Sequence, residues 1–485
     1  MLPGSAALAL GGEIDESMLH RLLLTICLVN EFHNIKWLRL FIIGDEMMEN
    51  QLPKPEQDLL KPQIGQPTRA RHMVLLLLFV VTAINYLDRT NMAVAAPAIS
   101  GEMGLSPAQL GFIFSGFGWT YALMQIPGGW FLDRFGPRTT YTLSCFFWSL
   151  FTLAMAFGRN VSTLFGLRLA IGFAEAPAFP TNSRVVASWF PKQERATATA
   201  IYTAGEYVGL AFLTPVLFWL LATFGWHSIF IVTGVIGIVF SVVWYLYYRD
   251  PKDSKSVNAA ELEYIRQGDG LAESAVVGQK ISWERFTVLF KYRQLWGIYI
   301  GQFATASTLY FFLTWFPTYL VVEKQMPMLK AGFYAAVPYI AAFIGVLVGG
   351  YWSDTMLKRG FSTSAARKAP IITGGLMSCS IVLANYSNDF NIIIAIMSVA
   401  FFAQGMAAIG WVVVGDVAPR DLVGLAGGVF NFCANLSGII TPIVIGFIVQ
   451  ETQSFTGALV FMSFIALLGA FSYMFIVGKI HRIEA

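Results

Sequence analysis

GGWFLDRFGPR, Gly128 to Arg138, is a short polar stretch between two apolar runs, and its skeleton returns later in the chain. Gly129, Asp133 and the basic Arg134 recur as Gly350, Asp354 and then Lys358 and Arg359, a shift of 221 residues. A second echo runs beside it: Pro191 to Arg195 with Thr214-Pro215 downstream recurs as Pro419-Arg420 with Thr441-Pro442, shifted by 228 and 227. Self-similarity at one distance means two like halves. Duplicated halves are what carriers use when they rock about a central site.

Outward from this repeat the chain is apolar. Of its 485 residues 56% are hydrophobic and 13% charged, and the mean hydropathy is +0.61; soluble domains carry about 25% charged residues. Apolar runs of about 20 residues, each enough for a hydrocarbon core roughly 30 Å thick, recur from Met73 to Val477. Lipid offers an unpaired amide no partner, so such runs must be helices. Six lie between Met73 and Tyr248 and six between Leu295 and Val477, with one long charged interval, Arg249 to Arg293, between them. The sequence therefore predicts an all-α polytopic membrane protein of twelve spans: a first half at 71–248, a linker at 249–294 and a second half at 295–485. Residues 1–70 read as a poorly structured leader, because Arg21 to Asn30 and Ile35 to Ile43 are too short and interrupted to span, and no clean signal-peptide cleavage site follows. Met47 or Met48 would then serve as a start ahead of a polar tail rich in Pro and Gln.

Charge excludes some functions and orients the rest. A net charge of +3, spread over short loops, does not suit nucleic acid. Loops on the side of the tail and linker hold 22 lysines and arginines, and the opposite side three, Arg159, Lys324 and Lys330. By the positive-inside rule both termini and the linker are cytoplasmic. Cys27, Cys145, Cys379 and Cys433 are scattered without CxxC spacing, so neither a disulfide framework nor a metal site is expected. No GxSxG, HExxH or Walker loop appears, and the chain is read as a carrier, not an enzyme.

Charge inside the spans is concentrated in the first half: Asp88 and Arg89 in span one, Arg168 and Glu175 in span four, Glu206 in span five. A mid-membrane charge costs about 2.5–3.5 kcal/mol, so the five together cost on the order of ten if unpaired, and they must face one another or a wet cavity. Arg168 and Glu175, seven apart, share a helix face about 11 Å apart, while the adjacent Asp88 and Arg89 diverge by about 100°. Pro177 and Pro180 interrupt the backbone just past Glu175. Fully ionised, the set sums to minus one; protonating Asp88 and Glu175 brings it to plus one and frees the arginines, which clasp a carboxylate with paired hydrogen bonds. In the second half Gln302, Trp411, Asn431 and Asn435 suit the hydroxyls and carbon face of a polyol.

GGWFLDRFGPR resembles the loop signature of the major facilitator superfamily, with Gly129, Asp133, Arg134, Gly136 and Arg138 in its positions. NYLDRTN (Asn85 to Asn91), LRLAIGFAEAPAFPTNSR (Leu167 to Arg184), SWFPKQERATA (Ser188 to Ala198) and GLAFLTP (Gly209 to Pro215) resemble its anion:cation symporter family. The likeness runs from about Arg71 to Glu484 and implies the major facilitator fold, with Gly129, Asp133, Arg134 and Arg138 as a cytoplasmic latch: glycines let helices approach, and Asp133 accepts from a helix terminus or an arginine across the half interface. It further implies a bacterial inner-membrane symporter that imports a sugar acid such as galactonate or glucarate, uses protons and no other cofactor, and works as a monomer in the bilayer. Asp88 and Glu175 match residues implicated in proton coupling, and Arg89 and Arg168 residues that bind the anion; Tyr86, Tyr121, Gln302, Trp411 and Asn431 match further substrate contacts. Glu206 departs from the galactonate-type pattern, which has glutamine there, and is expected to touch substrate or to titrate as a third site. A carrier of an aromatic or simple carboxylate is the alternative.

Overall fold

The computed structural model describes residues 66–268, 270, 287–419 and 422–484. The expectations about the leader as far as residue 65, the linker over 271–286 and Arg420 lie outside these. The described residues are helical almost throughout, without a strand among them. Helix α1 is Ala70–Met103. Pro107–Met155 is one run of two rods, α2 (107–135) and α3 (137–155), turned at Gly136. There φ is 73° and ψ 167°, a conformation open to glycine and closed to residues with a β-carbon, and Pro137 follows. α4 consists of Val161–Glu175 and Ala178–Trp189, cut at Ala176-Pro177. α5 (Arg195–Phe224) and α6 (Trp226–Tyr247) complete the first half. After a short linker helix, Ala259–Gln267, α7 runs Arg293–Thr314 and on through Phe316–Thr318 and a π turn at Tyr319–Glu323. α8 (Met328–Lys358), α9 (Thr363–Tyr386), α10 (Phe390–Val417), α11 (Val423–Thr452) and α12 (Thr456–Ile476) form the rest.

Eight of these helices, α1, α5, α6 and α8 to α12, are each long and apolar enough to cross a membrane. The other four complete the expected twelve: α2 and α3 meet at the Gly136 turn, and α4 and α7 are broken at Ala176-Pro177 and at Trp315. Polar residues start several rods by accepting from otherwise orphaned backbone amides. Ser106 and Gln109 form a reciprocal capping box on α2, Asn160 caps α4 at 2.8 Å, and Asp389 caps α10 through two amides at 2.7 and 3.1 Å.

The linker helix is fastened to the first half. Glu261, fully buried, accepts from the Thr68 hydroxyl (2.6 Å) and the Ala70 and Arg71 amides (3.0 and 3.2 Å), so it caps α1. Arg71 spans Glu261 (3.0 Å) and Glu194 (3.1 Å) and lies under the Tyr264 ring, whose hydroxyl donates to Glu194 at 2.7 Å.

Odd-numbered helices of the first half start on the linker side and even-numbered ones on the far side, which locates the seam between halves. On the far side it is shut. A β-carbon at Gly111 of α2 would lie 2.6 Å from the Pro442 carbonyl of α11, and one at Gly446 would lie 2.7 Å from the Pro107 carbonyl. Phe112 packs edge-on against Phe447 at 6.0 Å, and Phe114 against Trp315 at 5.2 Å. At mid-depth Tyr207 of α5 meets Phe343 of α8 at 5.8 Å. Toward the linker side Trp130 is 62% exposed and Trp411 50%.

Candidate functional site

The site begins on α1, where two adjacent residues take opposite directions. Arg89 turns toward α4: its Nε donates to Glu175 Oε1 at 2.8 Å, and Nη2 lies 2.6 Å from the same oxygen. Rings wall the guanidinium, with centroids of Tyr86, Phe117 and Tyr121 at 4.8, 4.9 and 4.9 Å and Phe179 at 6.0 Å. A desolvated cation over aromatic faces gains about 0.5–2 kcal/mol from each good contact. Glu175 is wholly buried, and its Oε2 has no hydrogen-bond partner among the described residues.

Asp88 turns away, into the wall between α1, α3 and α6. Its Oδ1 accepts from Asn91 Nδ2 at 3.0 Å and its Oδ2 from the Trp148 indole at 3.2 Å, while Asn91 Nδ2 also reaches the Thr233 hydroxyl at 2.7 Å. Among the described residues the side chains that donate to this carboxyl, Asn91 and Trp148, are both neutral.

Arg168, two turns farther along α4 toward the closed side, is 4% exposed. Nη2 makes a long contact, 3.4 Å, with the Phe114 carbonyl, the guanidinium lies 5.3 Å from the Phe117 centroid, and Nε has no partner. Among the described residues no carboxylate comes within ion-pair distance of it. Glu206 on α5 faces the Tyr86 hydroxyl, half-buried beside the Arg89 cage.

From the second half, Trp411 stands edge-on to Phe430 at 4.7 Å, and Gln302 approaches the backbone at Gly410. Asn431 offers its carbonyl to Asn435 Nδ2 at 2.9 Å, and Asn435 Oδ1 accepts from the Tyr310 hydroxyl at 3.3 Å. Three residues of this surround escaped the sequence reading: Phe117, Phe179 and Tyr310. They carry no charge in spans full of aromatics. For Tyr310 a signal existed, since it follows Gln302 by eight residues, on one helical stripe.

The latch residues gather at the linker side. Asp133 lies 3.8 Å from Arg184 of its own half and not from an arginine across the seam. Arg138 donates Nε and Nη2 to the Tyr245 carbonyl at 3.0 and 2.9 Å and lies 4.1 Å over the Tyr245 ring. Arg134 rests near Trp130 and Phe135, at 6.0 and 5.8 Å. A β-carbon at Gly129 would meet nothing within 4 Å; the close approach is at Gly128, 3.1 Å from Pro177. The repeat has its own knot, in which Arg367 joins Asp354 and Asp416, both at 3.2 Å.

Two like bundles, packed together on the far side around buried arginines and acids, define a polytopic membrane transporter. Residues 78–366 match the family model of the Major Facilitator Superfamily. The chain is 49% identical over 423 residues to the D-galactonate transporter of Escherichia coli O6:H1, covering 86% of this chain and 98% of that one. It is 44% identical over 429 residues to a probable galactarate/D-glucarate transporter of Bacillus subtilis, covering 86% and 94%. In fold it is similar to a bacterial homolog of the human lysosomal transporter Spinster in an inward-facing and occupied conformation, with a TM-score of 0.67 at 18% identity over 86% of this chain and 98% of that one. The chain belongs to the Major Facilitator Superfamily.

Proposed function

We propose that this transporter is a proton-coupled symporter that brings a sugar acid, an aldonate or aldarate, into the cell by alternating access. One observation carries the reading: among the described residues no carboxylate lies within ion-pair distance of the buried Arg168, whereas its neighbour Arg89 is already neutralised by Glu175. An unpartnered guanidinium in a low-dielectric site seeks a carboxylate, and it can clasp one through two parallel hydrogen bonds. Protonating Glu175 ends its hold on Arg89, so a second guanidinium becomes available to the anion. Proton and anion then load together, and the charge of neither is left uncompensated.

The names of the relatives support sugar acids as the substrate class. Amides and an indole from the second half, Gln302, Asn431 and Trp411, suit a polyhydroxylated chain, and Tyr86, Tyr121 and Glu206 line the other flank. The bias of lysine and arginine supports a linker side that faces the cytoplasm, so that the conformation here is inward-open.

The test is uptake into proteoliposomes. An inward proton gradient should drive accumulation of a labelled aldonate, and an uncoupler should abolish it; accumulation that persists with the uncoupler overturns symport. Competition by unlabelled aldonates, aldarates and an aromatic carboxylate reads the substrate class, and displacement by the aromatic acid alone overturns the sugar-acid reading.

A further inference from the structure

We propose that the second half binds one ordered water molecule between α7, α9, α10 and α12, and that this water serves as the pivot for the break in α10. A partly open cavity with about 20 Å³ of room lies there, lined by Thr305, Thr308, Gly375, Ser378, Gln404 and Ala407 among others. That is room for one water, which needs at least about 10–15 Å³ on the same measure. Gln404 is 7% exposed, and its side-chain oxygen has no partner among the described residues. A buried polar atom left so costs about 1–3 kcal/mol, a cost that a hydrogen-bonding guest removes.

The lining chooses the guest. Thr305 and Ser378 already donate their hydroxyl protons to the Gly301 and Ala400 carbonyls, at 3.0 and 2.8 Å, and their lone pairs remain to accept. With the Gln404 oxygen they make a set of acceptors, which calls for a donor. No carboxylate lines the cavity, so a bare cation would bring an uncompensated charge to mid-membrane. An uncharged donor fits, and water satisfies two acceptors at once while either orientation of the amide suits it.

Position gives the water its role. α10 breaks at Ala408-Ile409, directly after the lining residue Ala407, and its short second segment, Gly410–Val417, carries Trp411. Water can exchange hydrogen-bond partners as that segment swings, where a packed side chain would resist.

A density map of the whole transporter in lipid, at a resolution where ordered waters are seen, should show one solvent peak within hydrogen-bond reach of the Gln404 amide and of the Thr305 or Ser378 hydroxyl. No peak there, with other buried waters visible, overturns the proposal. So does a peak ringed by five or six short oxygen contacts, which marks a cation. Gln404→Met keeps the volume and removes the amide; it should lose the peak and slow counterflow exchange several-fold while competition affinity holds. An unchanged exchange rate overturns the pivot. The exchange arm rests on the proposed transport activity, whereas the density arm does not, so the two readings fail separately.

Discussion

Arg89 and Arg168 differ by a single partner, and that difference decides what each can do. Glu175 holds Arg89 at 2.6 Å, so Glu175→Gln removes the charge that, in the proposed cycle, is protonated before Arg89 is free. The variant should lose gradient-driven uptake and retain counterflow exchange; loss of both would assign Glu175 a structural part. Arg168→Lys keeps the cation and discards the fork. Losing one charge-assisted hydrogen bond is worth about 1.5–3 kcal/mol, so substrate should bind roughly 10- to 150-fold more weakly. An affinity equal to wild type would remove Arg168 from the site. At this scale the sequence was legible wherever charge met lipid. Asp88, Arg89, Arg168, Glu175 and Glu206 declare themselves because each must be compensated, and the divergence of Asp88 from Arg89 follows from 100° per residue. Phe117, Phe179 and Tyr310 did not, since a ring facing a guanidinium and a ring facing lipid read alike in a chain that is 15% aromatic. Nor did the second donor to Asp88: a tryptophan indole 60 residues away reveals itself only once α3 is packed.

Helices carry the second layer of information. Their number and order follow from apolar length, and the breaks follow from Gly136 before Pro137 and from Pro177 after Glu175. The linker helix was not foreseen, because nine residues with charges on several faces look like any solvated stretch. Its importance lies in tertiary contacts. Glu261→Ala strips four hydrogen bonds from a fully buried carboxylate that caps α1, and leaves Arg71 with Glu194 alone. The loss should be at least about 2 kcal/mol. Thermal unfolding of the purified protein in detergent checks it: the midpoint should fall below that of wild type, and a midpoint within error would show that the linker helix does not restrain α1. Glu261→Gln keeps one acceptor oxygen and should fall between the two.

At the scale of the whole molecule, the repeat at 221–228 residues announces two halves, yet nothing in the sequence says which side is shut. Which side closes is a small difference between two packings of the same helices, and single-residue reasoning does not reach it. The structure answers with glycine. Gly111→Leu puts a branched side chain where the Pro442 carbonyl stands 2.6 Å from a β-carbon. It should wedge the far side apart and shift the population toward far-open molecules. A cysteine introduced at Asn435 should then react faster with an impermeant thiol reagent added from the far side; an unchanged rate would mean the seam yields elsewhere.

That seam has a consequence for how such carriers diversify. Where Gly111 and Gly446 meet the carbonyls of Pro442 and Pro107, one main chain touches another, and main-chain atoms are the same whatever cargo is carried. The pocket wall is made of side chains. On the proposed reading, drift at a position such as Glu206 would therefore retune preference for one acid over another without disturbing the geometry of closure, and new preferences would arise on an inherited motion.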